Sequence, residues 1–242
     1  MSIEPMAAGG LFKDIDDNPG IRNRNPFNVK WDGRSNWRGM VKDGEYPRMI
    51  DVESGLVIEN WKPGMPMGFI VFETMEQGYR AGMLNHLTQA RRIMDAGEDV
   101  TIRKLIEIAT PVGPENLQES HDNLIGAISR STGRGPDDPI DLYDLDMQRK
   151  FGIPNAAFES GVELDTDGEG NFTSPTMEYI DQFLAGADSV SADIQRNVGG
   201  EHQEYFSPGQ GTEPQPNGVD EGILSAVADV VPATAGAAEQ ER

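Results

Sequence analysis

Twenty Lys and Arg against 41 Asp and Glu give this 242-residue chain a formal net charge of −21, which opposes general attraction to nucleic acid or anionic lipid. No Cys is present, so disulfides, thiolate metal sites and a cysteine nucleophile are excluded. His86, His121 and His202 lack zinc-ligand spacing, and neither a metal nor a cofactor is expected. With 37% hydrophobic residues, 28 Gly and 16 Pro, the chain supports one local core of ordinary domain size plus loops.

Residues 1–20 read as an N-terminal arm with neither the basic nor the apolar region of a signal peptide. No apolar run is long enough to span a membrane, so a protein made in a cytoplasm is expected. From Trp31 to Phe72 the pattern is of short segments punctuated by Gly and Pro, with Gly68–Phe72 as the best strand, which predicts a small irregular β lobe. Thr74-Met75-Glu76-Gln77 reads as a capping box, and Tyr79, Met83, Leu84, Leu87, Ala90 and Met94 then recur at helical spacing up to Gly97. A shorter helix is predicted over Ile102–Ala109 behind Thr101, a third over Asn116–Ser129, and a fourth over Pro139–Phe151 with Pro139 in its first turn.

Charge divides the chain near Gly152–Pro154: residues 1–150 carry a net −6 and residues 151–242 a net −15. The second part is polar and turn-rich except for two amphipathic segments, near 175–196 and 222–231, with a linker at 199–218. The apolar face of the first either folds back on the domain or docks in a groove of another protein. The expected class is therefore mainly α (α+β): a helical domain over 21–152 and an acidic tail over 153–242 carrying one or two amphipathic helices.

The segment Ile21-Arg22-Asn23-Arg24-Asn25-Pro26-Phe27-Asn28-Val29-Lys30-Trp31 is the most unusual. Asn side chains bond nearby backbone and tolerate strained dihedrals, so Asn25–Asn28 predicts a rigid turn of the kind that walls a cleft. Arg22, Arg24, Lys30, Arg34, Arg38 and Lys42 surround Phe27, Trp31 and Trp37, a mixture suited to stacking on sugar rings and meeting anionic groups. The plainer reading makes both Trp residues core aromatics and the Arg side chains a solvated rim.

The order of segments resembles a family of phage and prophage virion proteins with an Ile-Arg-Asn-Asn-Asn-Pro-Gly-Asn-Ile-Arg opening. The matching stretches are Ile21–Lys30, Trp37-Arg38-Gly39, Phe69–Phe72 with Gly78-Tyr79-Arg80-Ala81, Thr101-Ile102, and Pro111–Asn116. Arg24 stands where that family has Asn and Phe27 where it has Gly. The resemblance implies a lysozyme-like or glucosaminidase-type domain carried in a virion, opening peptidoglycan during genome entry.

Glycan cleavage needs a carboxylic acid of raised pKa to protonate the leaving oxygen. In glucosaminidases that acid lies on a helix well upstream of the turn, but only about twenty residues precede it here and no helical pattern is visible in them. Glu73, before the capping box, and Glu115, in the Pro-Glu-Asn turn, are the acid candidates. Asn25, Phe27, Asn28, Trp31, Trp37, Arg38 and Arg80 are the candidate substrate contacts. Two functions remain open: a virion protein that binds and cleaves glycan strands, as a hydrolase or lytic transglycosylase, or a catalytically inactive structural virion protein whose tail docks on another virion subunit. A nucleic-acid partner is disfavoured by the net charge.

Overall fold

The capping signal at Thr74 starts the longest core helix. In a computed structural model, which describes residues 18–33, 35–52, 54–59, 61–111, 118–167 and 171–198, the Thr74 side chain accepts from the Gln77 N–H and helix α2 follows over Met75–Asp95. The reciprocal bond of a capping box is not made: Gln77 Oε1 has no partner, and the Gln77 amide instead packs against Gly39, where it occupies the space a Cβ would take. Seven consecutive residues of α2, Gly78 through Leu84, are buried. A surface helix buries one stripe, so α2 is the axis around which the other elements pack.

The chain enters through the short α1, Pro19–Arg22, whose N-cap Asn18 accepts from Gly20 N–H. Next comes the β lobe: β1 Lys42–Asp43 pairs with β2 Tyr46–Pro47, and β3 Met49–Ile50 with β4 Phe69–Ile70, all antiparallel. The strand expected over Gly68–Phe72 is thus reduced to two residues, extended by single bridges to Lys30 and Met40. The lobe has its own aromatic centre, Trp31, Tyr46 and Trp61, packed edge to face at 4.9–6.1 Å.

Helix α3, Ile102–Ala109, has the expected bounds and cap, Thr101. Helix α4 is described over Gln118–Thr132. Helix α5, Leu145–Glu159, differs from expectation at both ends. It starts later because Asp144, not Asp138, is the cap, accepting from Met147 N–H, while Pro139 and Ile140 are drawn into bridging contacts with Thr101 and Val100. It ends later because burial of Phe151, Ile153, Ala156 and Ala157 outweighs the hydrogen bond that Pro154 cannot donate. The expected boundary at Gly152–Pro154 therefore falls inside a core helix.

After a hairpin of β5, Asp165–Thr166, and β6, Phe172–Thr173, helix α6 runs over Met177–Val198. Of the two placements open for its apolar face, the structure has the first: α6 folds back on α2 and α5, burying Ile180, Phe183, Ala187 and Val190 completely. Gly152 and Gly186 leave room for Tyr79, whose ring stacks on Phe183 at 5.9 Å. Arg80 of α2 pairs with Asp193 of α6 at 2.5 Å where both are nearly buried. The architecture is mainly α, and no helix among the described residues is long and apolar enough to cross a membrane. The segment expected as a helix near 222–231 lies outside the described residues.

Candidate functional site

The turn that follows α1 is fixed from several directions. Arg24 and Asn28, with φ of 53° and 51°, are the two non-glycine residues with positive φ among those described, a region that costs an L-residue about 1–2 kcal/mol. Asn25 offsets that cost. Fully buried, it donates to the carbonyls of Val29 (2.9 Å) and Ile70 (3.0 Å) and accepts from Val29 N–H (2.8 Å), tying the turn to itself and to β4. Helix α2 meets the turn with glycines one helical turn apart: a Cβ at Gly78 would collide with the Arg24 carbonyl, and one at Gly82 with the Phe27 ring.

Phe27 lies edge-on to Tyr79 (5.2 Å) and His86 (5.5 Å) of α2. His86 is buried, and its Nε2 faces the Asn155 amide of α5 at 3.1 Å. Desolvation lowers its pKa to about 4, so it is neutral and serves as an acceptor for Asn155.

One helical turn beyond Asn155, at the end of α5, stands Glu159. The Asn28 amide donates to the Glu159 carbonyl (3.3 Å) and to its carboxyl Oε2 (3.2 Å), and the Thr110 hydroxyl, at the C-cap of α3, donates to the same carboxyl. Asn28, Thr110 and Glu159 are each partly exposed, although the carboxyl itself has protein packed closely around it. Burial raises the Glu159 pKa, and the two donors, which favour the ionised form, only partly offset that rise. The last Asn of the unusual segment thus holds a carboxyl that keeps its proton to higher pH than an ordinary Glu.

The expected contact residues divide into two groups. Asn25, Trp31, Trp37 and Arg80 face the interior: Trp31 Nε1 donates to the Ser35 carbonyl, and Arg80 is engaged by Asp193. These four shape the site from within, their burial keeping them from a polymeric ligand. Phe27 and Asn28 are partly exposed and Arg38 is exposed. Arg22, Arg24, Lys30 and Lys42 are exposed as well, with Arg22 reaching the Gly55 carbonyl (3.1 Å) and Lys30 lying over the Phe69 ring (5.6 Å).

Of the acid candidates, Glu73 is exposed beside the Thr74 cap, and Glu115 and Arg34 lie outside the described residues. The sequence reading missed Glu159 and Thr110. The available signal was the pair Asn155 and Glu159, polar residues four apart on a helix otherwise apolar from Phe151 to Phe158.

Among the described residues no group of three or more His, Asp and Glu is placed to hold a metal ion. The run Asp165-Thr166-Asp167-Gly168-Glu169-Gly170 has calcium-loop spacing but reaches Thr176 where such a loop needs a bidentate Glu. Asp167 accepts from the Asn171 backbone and amide (2.9 and 3.0 Å). Compared with protein-family models and with curated proteins, the chain matches none.

Proposed function

We propose that this chain is a lysozyme-like, virion-associated protein of a bacteriophage that binds the glycan strands of host peptidoglycan and cleaves them during genome entry. The observation that carries this reading is the build of the Asn25–Asn28 turn. Backbone strain persists only where surrounding structure over-determines it, and it concentrates at functional sites. Here two strained residues, a fully bonded Asn and two glycine notches fix a loop whose polar end meets a desolvated carboxyl. The exposed cations Arg22, Arg24, Lys30 and Arg38 beside it suit the anionic groups of peptidoglycan stems.

The test uses the full chain with purified sacculi, following co-sedimentation and release of soluble muropeptides. Binding with release is the expected result, and failure of the wild type to do either refutes the proposal. A second reading, a catalytically inactive structural virion protein, draws on the burial of Asn25, Trp31, Trp37 and Arg80 and predicts binding without release. Because α6 is committed to α2, docking on another virion subunit would fall to residues after 198.

A further inference from the structure

Resting on the glycan-cleaving reading above, we infer that Glu159 is the acid of the site and that Asn28 and Thr110 are its positioning residues. Three elements converge on this carboxyl: the strained turn through Asn28, the end of α3 through Thr110, and the end of α5 through Glu159 itself. A carboxyl with no task at such a place is a poor structural choice, since burying it costs free energy that a Gln of similar shape would not. The partners are neutral donors rather than a cation, so they fix the direction of the group without holding it fully ionised. Asn28 reaches both the backbone carbonyl and the side chain of Glu159, which fixes its amide orientation, because both of these atoms are acceptors.

The step runs as follows. The Glu159 carboxyl proton passes to the glycosidic oxygen as the bond from that oxygen to the anomeric carbon breaks, and the leaving sugar departs with the electron pair as an alcohol. The remaining sugar carries the positive charge. A hydroxyl, from water or from that same sugar, then adds to the anomeric carbon and returns its proton to the Glu159 carboxylate. Water leaves a reducing end, whereas the internal hydroxyl leaves an anhydro end, and mass spectrometry of the released fragments separates the two.

The experiment uses the full chain and purified sacculi. Glu159→Gln is expected to lower muropeptide release about a hundredfold or more while co-sedimentation is retained and thermal unfolding stays cooperative. Should that variant fail to fold, Glu159→Asp, which keeps the carboxylate but withdraws it from its donors, is expected to show a similar loss. Asn28→Gly keeps the left-handed backbone and removes the amide. Loss of a donor that favours the ionised form raises the pKa of Glu159, so the high-pH limb of the release profile moves to higher pH. Thr110→Val moves it the same way and Thr110→Ser restores it, whereas residues of merely structural importance would lower the rate and leave the limb in place. Wild-type release that Glu159→Gln leaves undiminished overturns the assignment alone, and absence of release by the wild type overturns the reading on which it rests.

Discussion

Replacing His86 by Gln probes the layer beneath the site. His86 is 3% exposed and is faced by neutral groups, the rings of Phe27 and Phe151 and the Asn155 amide, while its Nδ1 has no partner. Desolvation lowers its pKa from 6.5 to about 4, so the unfolded chain takes up a proton near pH 6.5 that the native state refuses until about pH 4. The native state therefore has its full stability above the unfolded value and loses it as pH falls through that interval. At about 1.4 kcal/mol per pKa unit the loss amounts to roughly 3 kcal/mol.

Gln keeps an acceptor for Asn155 and does not titrate. Urea unfolding of both proteins across this pH range gives two curves, and their difference isolates His86. That control is needed because Glu159, with its raised pKa, titrates in the opposite sense: it costs stability once ionised and ceases to do so as pH falls. The wild type's advantage over His86→Gln is expected to shrink by about 3 kcal/mol between neutral pH and pH ~4. Parallel curves would refute the reasoning, showing that the imidazole is solvated or finds a counter-charge.

Four further outcomes are expected. Glu159→Gln raises the melting temperature at neutral pH by removing a desolvated charge, and the gain disappears in acid, where Glu159 is protonated in both native and unfolded states; calorimetry at the two pH values checks the sign. Asn25→Ala strips the Val29 N–H and the Ile70 carbonyl of their side-chain partner in the core, while the Val29 carbonyl keeps the Ile70 N–H, and costs about 2–3 kcal/mol in urea melts. Gly82→Ala drives a methyl into the Phe27 ring, costing about 1–3 kcal/mol and lowering muropeptide release by shifting Asn28. Arg80→Ala removes the buried cation that ties α2 to Asp193 of α6 and costs about 3 kcal/mol, with protease cleavage in α6 as a direct reporter of its release from α2.

Local signals made the helices legible. Thr74 and Thr101 cap where their side chains can accept from the third residue of the helix, and both do. The start of α5 is not legible locally, because Asp138-Pro139 and Asp144-Leu145 both carry the cap signal, and the choice between them lies in the bridge from Pro139 to Thr101, a contact between elements. Its end lies beyond Pro154, a local breaker whose cost is outweighed by packing against α4 and α6. The rigid turn was legible in Asn25-Pro26-Phe27-Asn28, but its partner was not. Glu159 is 131 residues away from Asn28, and the apolar run that precedes it marks a buried helix end without indicating which segment meets it. Trp31 and Trp37 stand among cations in the sequence, but in the fold their rings fill the interior of the β lobe with Met49, Trp61, Ile70 and Phe72.

Phe27, the departure from the resembled opening segment, links the two levels at which the turn meets α5. At depth, Phe27 fills the notch at Gly82 and touches His86, which bonds Asn155. At the rim, Asn28 holds Glu159, four residues further along the same helix. A displacement of the turn relative to α5 must therefore break an aromatic contact below and a hydrogen bond above together. Most of the segment's side chains serve this registration. Asn25 never reaches solvent, yet its three bonds set where Asn28 points. A Gly at position 27 would leave the lower level empty, and the Asn28 amide alone would have to hold the carboxyl against the thermal motion of a turn whose backbone is already strained at both ends.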